Sequence, residues 1–506
     1  MFPGDILTRR LHVALACAAL LVFTWLAERH AGESVFLEDQ VDQLQNFESL
    51  LQWRPEGLWG AIMSGTAPPA HALGPLGAVV FGIPVALGLG INSIHVITSL
   101  LIAIGTASVF AVLARIDAVF AWLWLLIFSF TGVVWWNAGM LWTNTLLLPI
   151  GLTVMALAAS CLRRPCLATL AWLVLIGTFG LQLHLVAVVA APVILVLVFV
   201  TGRDARRHPP GRWHLCAIAV VALMAVGPYV MAELMTGFRN TRAIFTHLES
   251  PGGRAAVSGT AASEMPLAIA VDPAGLFERL GVRPVLVITI GTALGIAALA
   301  LLALRARRGG VDRTREARSE SVLFWLTVSA VAGIAGQGLF FAWMARSFEG
   351  FHHVTLLAPF YPLVPAALVS LAMPRRLPPF TTACALGVVC LALLVWKGPP
   401  VGDRFVERTP WSYSRIRAAL DAVCGDGAVE TDEGHGFAAR LNPQYDSVLR
   451  YLMKRRLTTC RYQPGSDTLI VAARDGNYRP SHDVGGVEYR LELVMPPGIA
   501  RYRRWR

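Results

Sequence analysis

Charged residues are scarce in this chain of 506 residues. Asp, Glu, Lys and Arg make up 15% of the sequence and hydrophobic residues 55%, and the mean hydropathy is +0.58. This composition excludes an ordinary soluble globular protein, because stretches of about 17–25 apolar residues, each long enough to cross a bilayer, recur along the chain. The predicted spans are residues 11–26, 73–90, 93–113, 118–134, 138–161, 167–183, 184–201, 215–236, 283–305, 322–344, 353–372 and 381–396. We therefore expect an all-α polytopic membrane protein with about 11–13 crossings.

A clear cleavage site for a signal peptidase is also missing, and no fixed-period repeat is visible. The first apolar stretch follows Arg9-Arg10, as in a secretory signal, but no clear small-x-small cleavage site follows it. We therefore expect residues 11–26 to remain as an anchor helix.

Acidic residues are fewer than basic ones, 32 against 43, and the net charge is +11. The Arg residues concentrate in the short connections 203–213, 305–320 and 373–378. Basic residues in short loops between apolar spans mark the cytoplasmic side, so the charge predicts topology and no nucleic-acid partner. The loops 28–72 and 237–282 and the tail from about residue 398 are then expected outside, which predicts a bacterial inner-membrane protein with a periplasmic tail.

Cysteine is rare and has no metal-binding spacing. Six of the eight lie in or beside apolar stretches, where Cys behaves as a small hydrophobe: Cys17, Cys161, Cys166, Cys216, Cys384 and Cys390. No C-x-x-C pair is present, so no zinc site is predicted. Cys424 and Cys460 lie in the polar tail and can pair if the tail is outside the cytoplasm; the alternative is two unrelated buried thiols.

The tail differs in pattern from the rest of the chain. Residues 412–422 and 445–455 have helical patterns, whereas 468–473 and 487–494 have strand patterns, the latter with alternating polarity. These patterns predict two domains, a membrane domain over residues 1–397 and a small α/β domain over 398–506.

Three of the few carboxylates lie together just beyond the first span. Glu38, Asp39 and Asp42 begin a stretch to Trp53 whose apolar residues follow one helical face. Carboxylates at a membrane boundary are candidates for function. The alternative is a solvated helix start, since carboxylates favour helix N-termini.

Four stretches occur in a characteristic order. They are Glu38-Asp39-Gln40; His71-Ala72-Leu73-Gly74-Pro75-Leu76; Trp142-Thr143-Asn144 together with Leu181-Gln182-Leu183-His184-Leu185; and Pro228-Tyr229 through Glu233-Leu234 to Gly237-Phe238-Arg239-Asn240-Thr241-Arg242. Together they resemble the bacterial GT-C glycosyltransferases of the glycosyltransferase 39 group, which includes protein mannosyltransferases and the lipid A aminoarabinose transferase. By motif the resemblance covers about residues 10–250, and beyond them only by architecture. It implies a GT-C fold and transfer of a sugar from a polyprenyl-phosphate donor to a lipid, glycan or protein acceptor at the outer face of the membrane.

The resemblance also implies roles for particular residues. Asp39 matches the position of the acidic catalytic residue and is expected to be the general base, with Glu38 sharing the role or orienting the acceptor. The expected substrate-binding residues are Asp42, His71, Asn144, Gln182, His184, Arg239, Arg242, His352 and His353. For the buried polar members the alternative is interhelix packing, and for the two arginines it is anchoring to lipid headgroups.

Two further questions stay open at this stage. Glu38, Asp39 and Asp42 offer enough oxygen ligands for Mg²⁺ or Mn²⁺, but spacing alone does not decide whether a metal binds. A polytopic transporter or flippase is the main alternative function, and a membrane sensor with a ligand-binding tail is another. Polar residues gather in the outer loops and no inverted repeat is visible, so the sequence favours chemistry at the membrane surface.

Overall fold

The computed structural model of the chain covers most of the membrane part and pieces of the tail. It describes residues 38–60, 62–63, 70–71, 73–129, 142–249, 315–344, 355–372, 413–424, 428–431, 448–449, 451–452, 458–462, 468–472, 480–484, 487–495 and 499–504, with a few single positions between them. For Glu38 and Asp39 it describes the backbone and not the side chain.

The membrane part is helical. Its described helices are α1 (Glu38–Leu51), α2 (Pro55–Leu58), α3 (Leu76–Ala86), α4 (Asn92–Ala114), α5 (Ala118–Ser129), α6 (Leu147–Arg163), α7 (Leu167–Leu183), α8 (Ala191–Ala205), α9 (Arg212–Thr236), α10 (Arg239–Glu249), α11 (Arg315–Met344) and α12 (Leu363–Ala372). Short 3₁₀ turns at Thr143–Leu146, Leu185–Ala190 and Thr355–Leu357 precede α6, α8 and α12. A two-residue hairpin of β1 (Ile62–Met63) and β2 (Ala70–His71) lies between α2 and α3.

The protein is a multi-pass membrane protein. Among the described helices, five segments are long and apolar enough to cross a bilayer: Asn92–Ala114, Thr143–Arg163, Val186–Ala205, Arg212–Thr236 and Ser319–Phe340. Three shorter helices, α3, α5 and α7, are also apolar. Because parts of the chain lie outside the described residues, the number of crossings stays a prediction.

Helix α6 packs at the centre of the bundle with small residues at its contacts. A Cβ atom on Gly151 would meet the backbone carbonyl of Leu356, and one on Gly105 of α4 would lie 2.9 Å from Leu152. Small residues let helix backbones approach closely in membranes, where dispersion contacts replace the hydrophobic effect as the main packing term. Trp124 of α5 is fully buried and donates its indole N–H to the carbonyl of Pro359 at 2.9 Å.

The two ends of the bundle differ in charge. The exposed Arg164, Arg203, Arg206, Arg207 and Arg212 lie where α6 and α8 end and where α9 begins. Two of these connections meet, because the amide of Leu167 donates to the carbonyl of His208 at 3.2 Å. The start of α6 and the ends of α7 and α9 lie at the opposite end, with the hairpin and α1. This second end is called the polar end below.

The described residues of the tail form a mixed six-stranded sheet with a helix packed against it. The strands β3 (Ala428–Thr431), β4 (Arg461–Tyr462), β5 (Thr468–Ala472), β6 (Ser481–Val484), β7 (Val487–Met495) and β8 (Ile499–Arg504) have the order β4-β3-β5-β8-β7-β6. Strands β3, β4 and β5 are parallel, and the remaining pairs are antiparallel. The period of two is visible in β5, where Ile470 packs with the helix α13 (Tyr413–Cys424) and Leu469 belongs to a cluster on the other face.

One disulfide closes this small domain. Cys424 at the end of α13 is bonded to Cys460, next to β4, with 5.4 Å between their Cα atoms. Of the two states that the sequence left open for these cysteines, the structure has the bonded one.

The predicted fold class, a helical membrane protein with a small α/β tail, is confirmed, but two predicted spans begin differently. Residues 138–161 and 184–201 were expected as continuous spans, whereas 3₁₀ turns occupy 143–146 and 185–190. Hydropathy does not distinguish the turn 185–190 from α-helix, because its residues are as apolar as the helix that follows.

Candidate functional site

Helix α1 forms one wall of the polar end and begins with the predicted catalytic carboxylates. Glu38 and Asp39 are its first two residues; their side chains lie outside the described residues, so their expected roles stay predictions. Asp42 is half-buried and makes polar contacts of its own. The helix is held by Val41, Leu44 and Phe47, which are buried. Phe47 lies against Gly82 of α3, where a Cβ atom would overlap the ring.

His71 lies at the centre of the outer hairpin. Its ring stacks on Trp59, with centroids 5.0 Å apart and planes at 30°, and its Nδ1 lies 3.2 Å from the carbonyl oxygen of Gly60. The side-chain amide of Asn240 contacts both backbone groups of His71. It accepts from the amide N–H at 2.6 Å and donates to the carbonyl at 3.1 Å. These two hydrogen bonds join helix α10 to the hairpin.

Burial determines the charge state of His71. Loss of water lowers the pKa of its imidazole below the usual value; the Gly60 carbonyl and Glu56 oppose this shift more weakly, and Arg239 adds a still smaller lowering. At neutral pH the ring is therefore uncharged. Because Nδ1 faces a carbonyl, it is the donor, and Nε2 is then an acceptor. A neutral His71 offers a hydrogen-bond acceptor to a sugar and no positive charge to a phosphate.

Gln182 connects the end of α7 to the loop before α3. A Cβ atom on Gly74 would lie 2.7 Å from the Gln182 side chain, so glycine permits this contact. The Gln182 amide is buried and donates to the carbonyl of Ala225, in the turn before Pro228 of α9. The structure thus shows Gln182 as an interhelix contact.

Asn144 lies in the 3₁₀ turn before α6, between Thr143 and Thr145, and all three are buried. The turn adjoins the start of α3, because a Cβ atom on Gly77 would lie 2.7 Å from Thr143 Cγ2 and 2.9 Å from Gln43 Oε1. Polar residues of α1 and of the turn 143–146 therefore meet beside the start of the apolar helix α3.

A sharp elbow joins α9 to α10. Gly237 and Phe238 both have positive φ, at 61° and 63°, and the buried Glu233 accepts from the amide of Thr241 at 3.0 Å. Glu233 thus pairs with one of the unsatisfied amides in the first turn of α10, where a carboxylate is favoured by the helix dipole. This bond gives Glu233 a capping role for α10.

The two predicted arginines follow the same elbow and are both exposed. Arg239 is close enough to His71 to act on its charge. Arg242 turns back and donates from Nη2 to the carbonyl of Gly237 and from Nε to that of Phe238. Arg239 is therefore the better placed of the two to meet an anion beside the hairpin.

His184 ends α7 and begins the following 3₁₀ turn. Its Nδ1 accepts from the amide of Val186 at 3.1 Å, so its ring has a capping role. His352 and His353, predicted to contact substrate, lie outside the described residues. Within the described part of the chain, no three His, Cys, Asp or Glu side chains come together as a metal site, and the possible Mg²⁺ or Mn²⁺ stays a prediction.

Several residues of this site were not predicted from the sequence. Asn240 and Trp59 hold His71, and Gln43 faces Gly77. Asn240 lies in a stretch whose arginines were the predicted substrate-binding residues. The sequence does not show whether an Asn side chain binds another segment's backbone, as Asn240 does, or faces the surface. For Gln43 a signal existed, because it lies four residues after Asp39 on the same helical face.

Comparison with known proteins identifies the fold. No protein-family model matches the chain, and no curated protein matches it. Among solved structures, the chain is similar to the crystal structure of ArnT from Cupriavidus metallidurans bound to undecaprenyl phosphate. The TM-score is 0.52 and the identity 13%, and the match covers 91% of this chain and 93% of that one. At this identity the likeness shows the fold alone, and the expected GT-C fold is confirmed.

Proposed function

We propose that this protein is a membrane glycosyltransferase that takes a sugar from a polyprenyl-phosphate donor and transfers it to a lipid, glycan or protein acceptor. The observation that carries the proposal is the convergence at the polar end. There α1, the hairpin with His71, the turn with Asn144 and the elbow with Arg239 meet, on a fold similar to that of an ArnT structure with bound undecaprenyl phosphate.

The distribution of arginines predicts the side of the membrane on which the polar end lies. The Arg-rich connections lie at the end of the bundle opposite the site, and such connections favour the cytoplasm. We therefore place the polar end and the tail in the periplasm and the helices in the bacterial inner membrane. There the prenyl chain of the donor lies along the lipid-exposed surface of the bundle and presents its phosphate to the polar end.

Each step needs a group with a suitable charge. Asp39, at the start of α1, takes the proton from the acceptor hydroxyl as that oxygen forms its bond to the anomeric carbon. The bond between this carbon and the phosphate oxygen breaks, and the polyprenyl phosphate leaves with its electrons. Arg239 stabilises the negative charge of the departing phosphate, and neutral His71 accepts a hydrogen bond from the sugar.

The experiment is the substitution Asp39→Asn in the full-length chain. The product is first identified by comparing lipid A, glycans and proteins of cells with and without the gene by mass spectrometry. Removing a general base should lower transfer by about 10²–10⁴-fold while folding and donor binding persist. The matched control is Asp204→Asn, an exposed residue at the opposite end that pairs with Arg207. Full transfer by the Asp39 variant would contradict its role as base.

A further inference from the structure

We propose that Gln43 and Asn46 of α1 form a subsite for a sugar hydroxyl of the donor. This inference rests on the proposed function and deepens it, because it names groups that distinguish a sugar-bearing lipid from bare polyprenyl phosphate. Neither residue belongs to the four stretches that resemble known glycosyltransferases.

The first observation is a pair of buried polar atoms without partners. Within the described residues, Gln43 Oε1 and Asn46 Nδ2 are both buried and neither has a hydrogen bond; the whole Gln43 side chain is only 2% exposed. Buried polar groups nearly always have a partner, because leaving one unpaired costs its desolvation free energy. One atom is an acceptor and the other a donor. Sugar hydroxyl groups both donate and accept hydrogen bonds, so they can satisfy an atom of either kind.

The second observation is their position on α1. Residues 39, 43 and 46 are spaced i, i+4 and i+7, so the three positions share one face of the helix. Along the axis, positions 43 and 46 lie about 6 and 10 Å from position 39. A sugar whose anomeric carbon reacts beside position 39 therefore extends its other hydroxyls along this face toward the two amides.

The third observation is the close approach of three segments around Gln43. A side chain at position 77 would approach Gln43 Oε1 and Thr143 Cγ2 within 3 Å. The subsite thus lies between α1, the start of α3 and the turn 143–146, where Asn144 is also buried. Walls from three segments are what a site needs to orient a rigid sugar ring.

The test is Gln43→Met, which keeps the volume of the side chain and removes the unpaired amide. Full-length protein in lipid nanodiscs is titrated with undecaprenyl phosphate and, separately, with undecaprenyl phosphate carrying mannose, glucose or aminoarabinose. The wild type should bind one sugar-bearing lipid more tightly than the bare lipid. Gln43→Met should lose about two- to tenfold of that preference, the effect of one hydrogen bond, without weaker binding of bare lipid. Gln45→Met, on the exposed face of the same helix, is the matched control and should keep the preference.

Thermal unfolding separates this role from a structural one. If the amide is unpaired until the sugar binds, Gln43→Met should keep or raise the Tm of the unliganded protein. A lowered Tm with an unchanged sugar preference would mean that Gln43 serves packing and would overturn the inference. Equal binding of all four lipids by the wild type would also overturn it, leaving a polyprenyl-phosphate site in place. Binding of none of the lipids would contradict the proposed function itself.

Discussion

At the scale of single residues, His71 shows how surroundings change what a side chain can do. Its type and its place before Gly-Pro-Leu suggested a substrate contact, but the sequence does not show that Trp59, Gly60 and Asn240 enclose it. Burial lowers the pKa of its imidazole, and Arg239 acts in the same direction. The same residue at a surface would titrate near pH 6.5 and could meet a phosphate as a cation.

This environment predicts an acid-sensitive stability. Because the pKa of His71 is lower in the folded than in the unfolded protein, the unfolded chain binds the extra proton first as pH falls below about 6.5. Stability is therefore complete above that pH and falls as the pH decreases toward the folded pKa. His71→Asn, whose amide can still donate to the Gly60 carbonyl, should lose less Tm between pH 7 and pH 5 than the wild type. Equal losses in the two proteins would show that His71 is not the group responsible.

Only some of the site residues were predictable from the sequence, and the reason is physical. Asn144, Gln182 and His184 were expected from the resemblance to the glycosyltransferase 39 group, and all three lie at the polar end. Their partners were not predictable, because the Gln182 amide meets Ala225 and the His184 ring meets Val186. A polar side chain in a span signals that it has a partner, and only the fold shows which one.

At the scale of elements, the elbow between α9 and α10 positions Arg239 beside the hairpin. Gly237 and Phe238 turn the chain, Glu233 pairs with the first turn of α10, and Asn240 fastens that helix to His71. The sequence predicted the end of the span here but not the helix after it. The sequence of residues 239–249 has a strongly amphipathic helical pattern, so a signal for this helix was present.

The substitution Asn240→Ala tests the hydrogen bonds that hold α10 to the hairpin. Asn240 is 1% exposed, and its loss leaves the N–H and C=O of His71 without these bonds, at a cost of about 2–4 kcal/mol in the free energy of unfolding. Transfer should fall as well, because Arg239 loses its fixed position. The exposed Asn92 at the start of α4 provides the control, and Asn92→Ala should change stability by less than about 0.5 kcal/mol. If thermal or denaturant unfolding shows an equally small effect for Asn240→Ala, Asn240 does not stabilise the contact between α10 and the hairpin.

At the scale of the whole molecule, the tail domain packs on the helix that begins with the catalytic candidates. Glu48 of α1 forms an ion pair with Arg455 and accepts a hydrogen bond from Tyr451, whose hydroxyl pKa is raised by burial and by this carboxylate. Val448 and Leu452 belong to the same apolar core as Val41 and Leu44. The α/β character of the tail was predictable from alternation in β7. Its contact with α1 was not, because more than 400 residues separate Glu48 from Tyr451 and Arg455 in sequence.

The disulfide between Cys424 and Cys460 allows the role of the tail to be tested in the whole protein. The bond closes a loop of 36 residues, which stabilises the folded tail by about 3–4 kcal/mol through the entropy of the unfolded chain. Replacing both cysteines by serine should therefore speed proteolysis of the tail. Because Tyr451 and Arg455 contact α1, transfer should also fall, while the intact protein still binds undecaprenyl phosphate. Cys216→Ser, at a free and exposed cysteine, is the control and should change neither readout. If the double variant loses tail stability and keeps full transfer, the tail does not position α1, and the carboxylates of that helix are held by the membrane bundle alone.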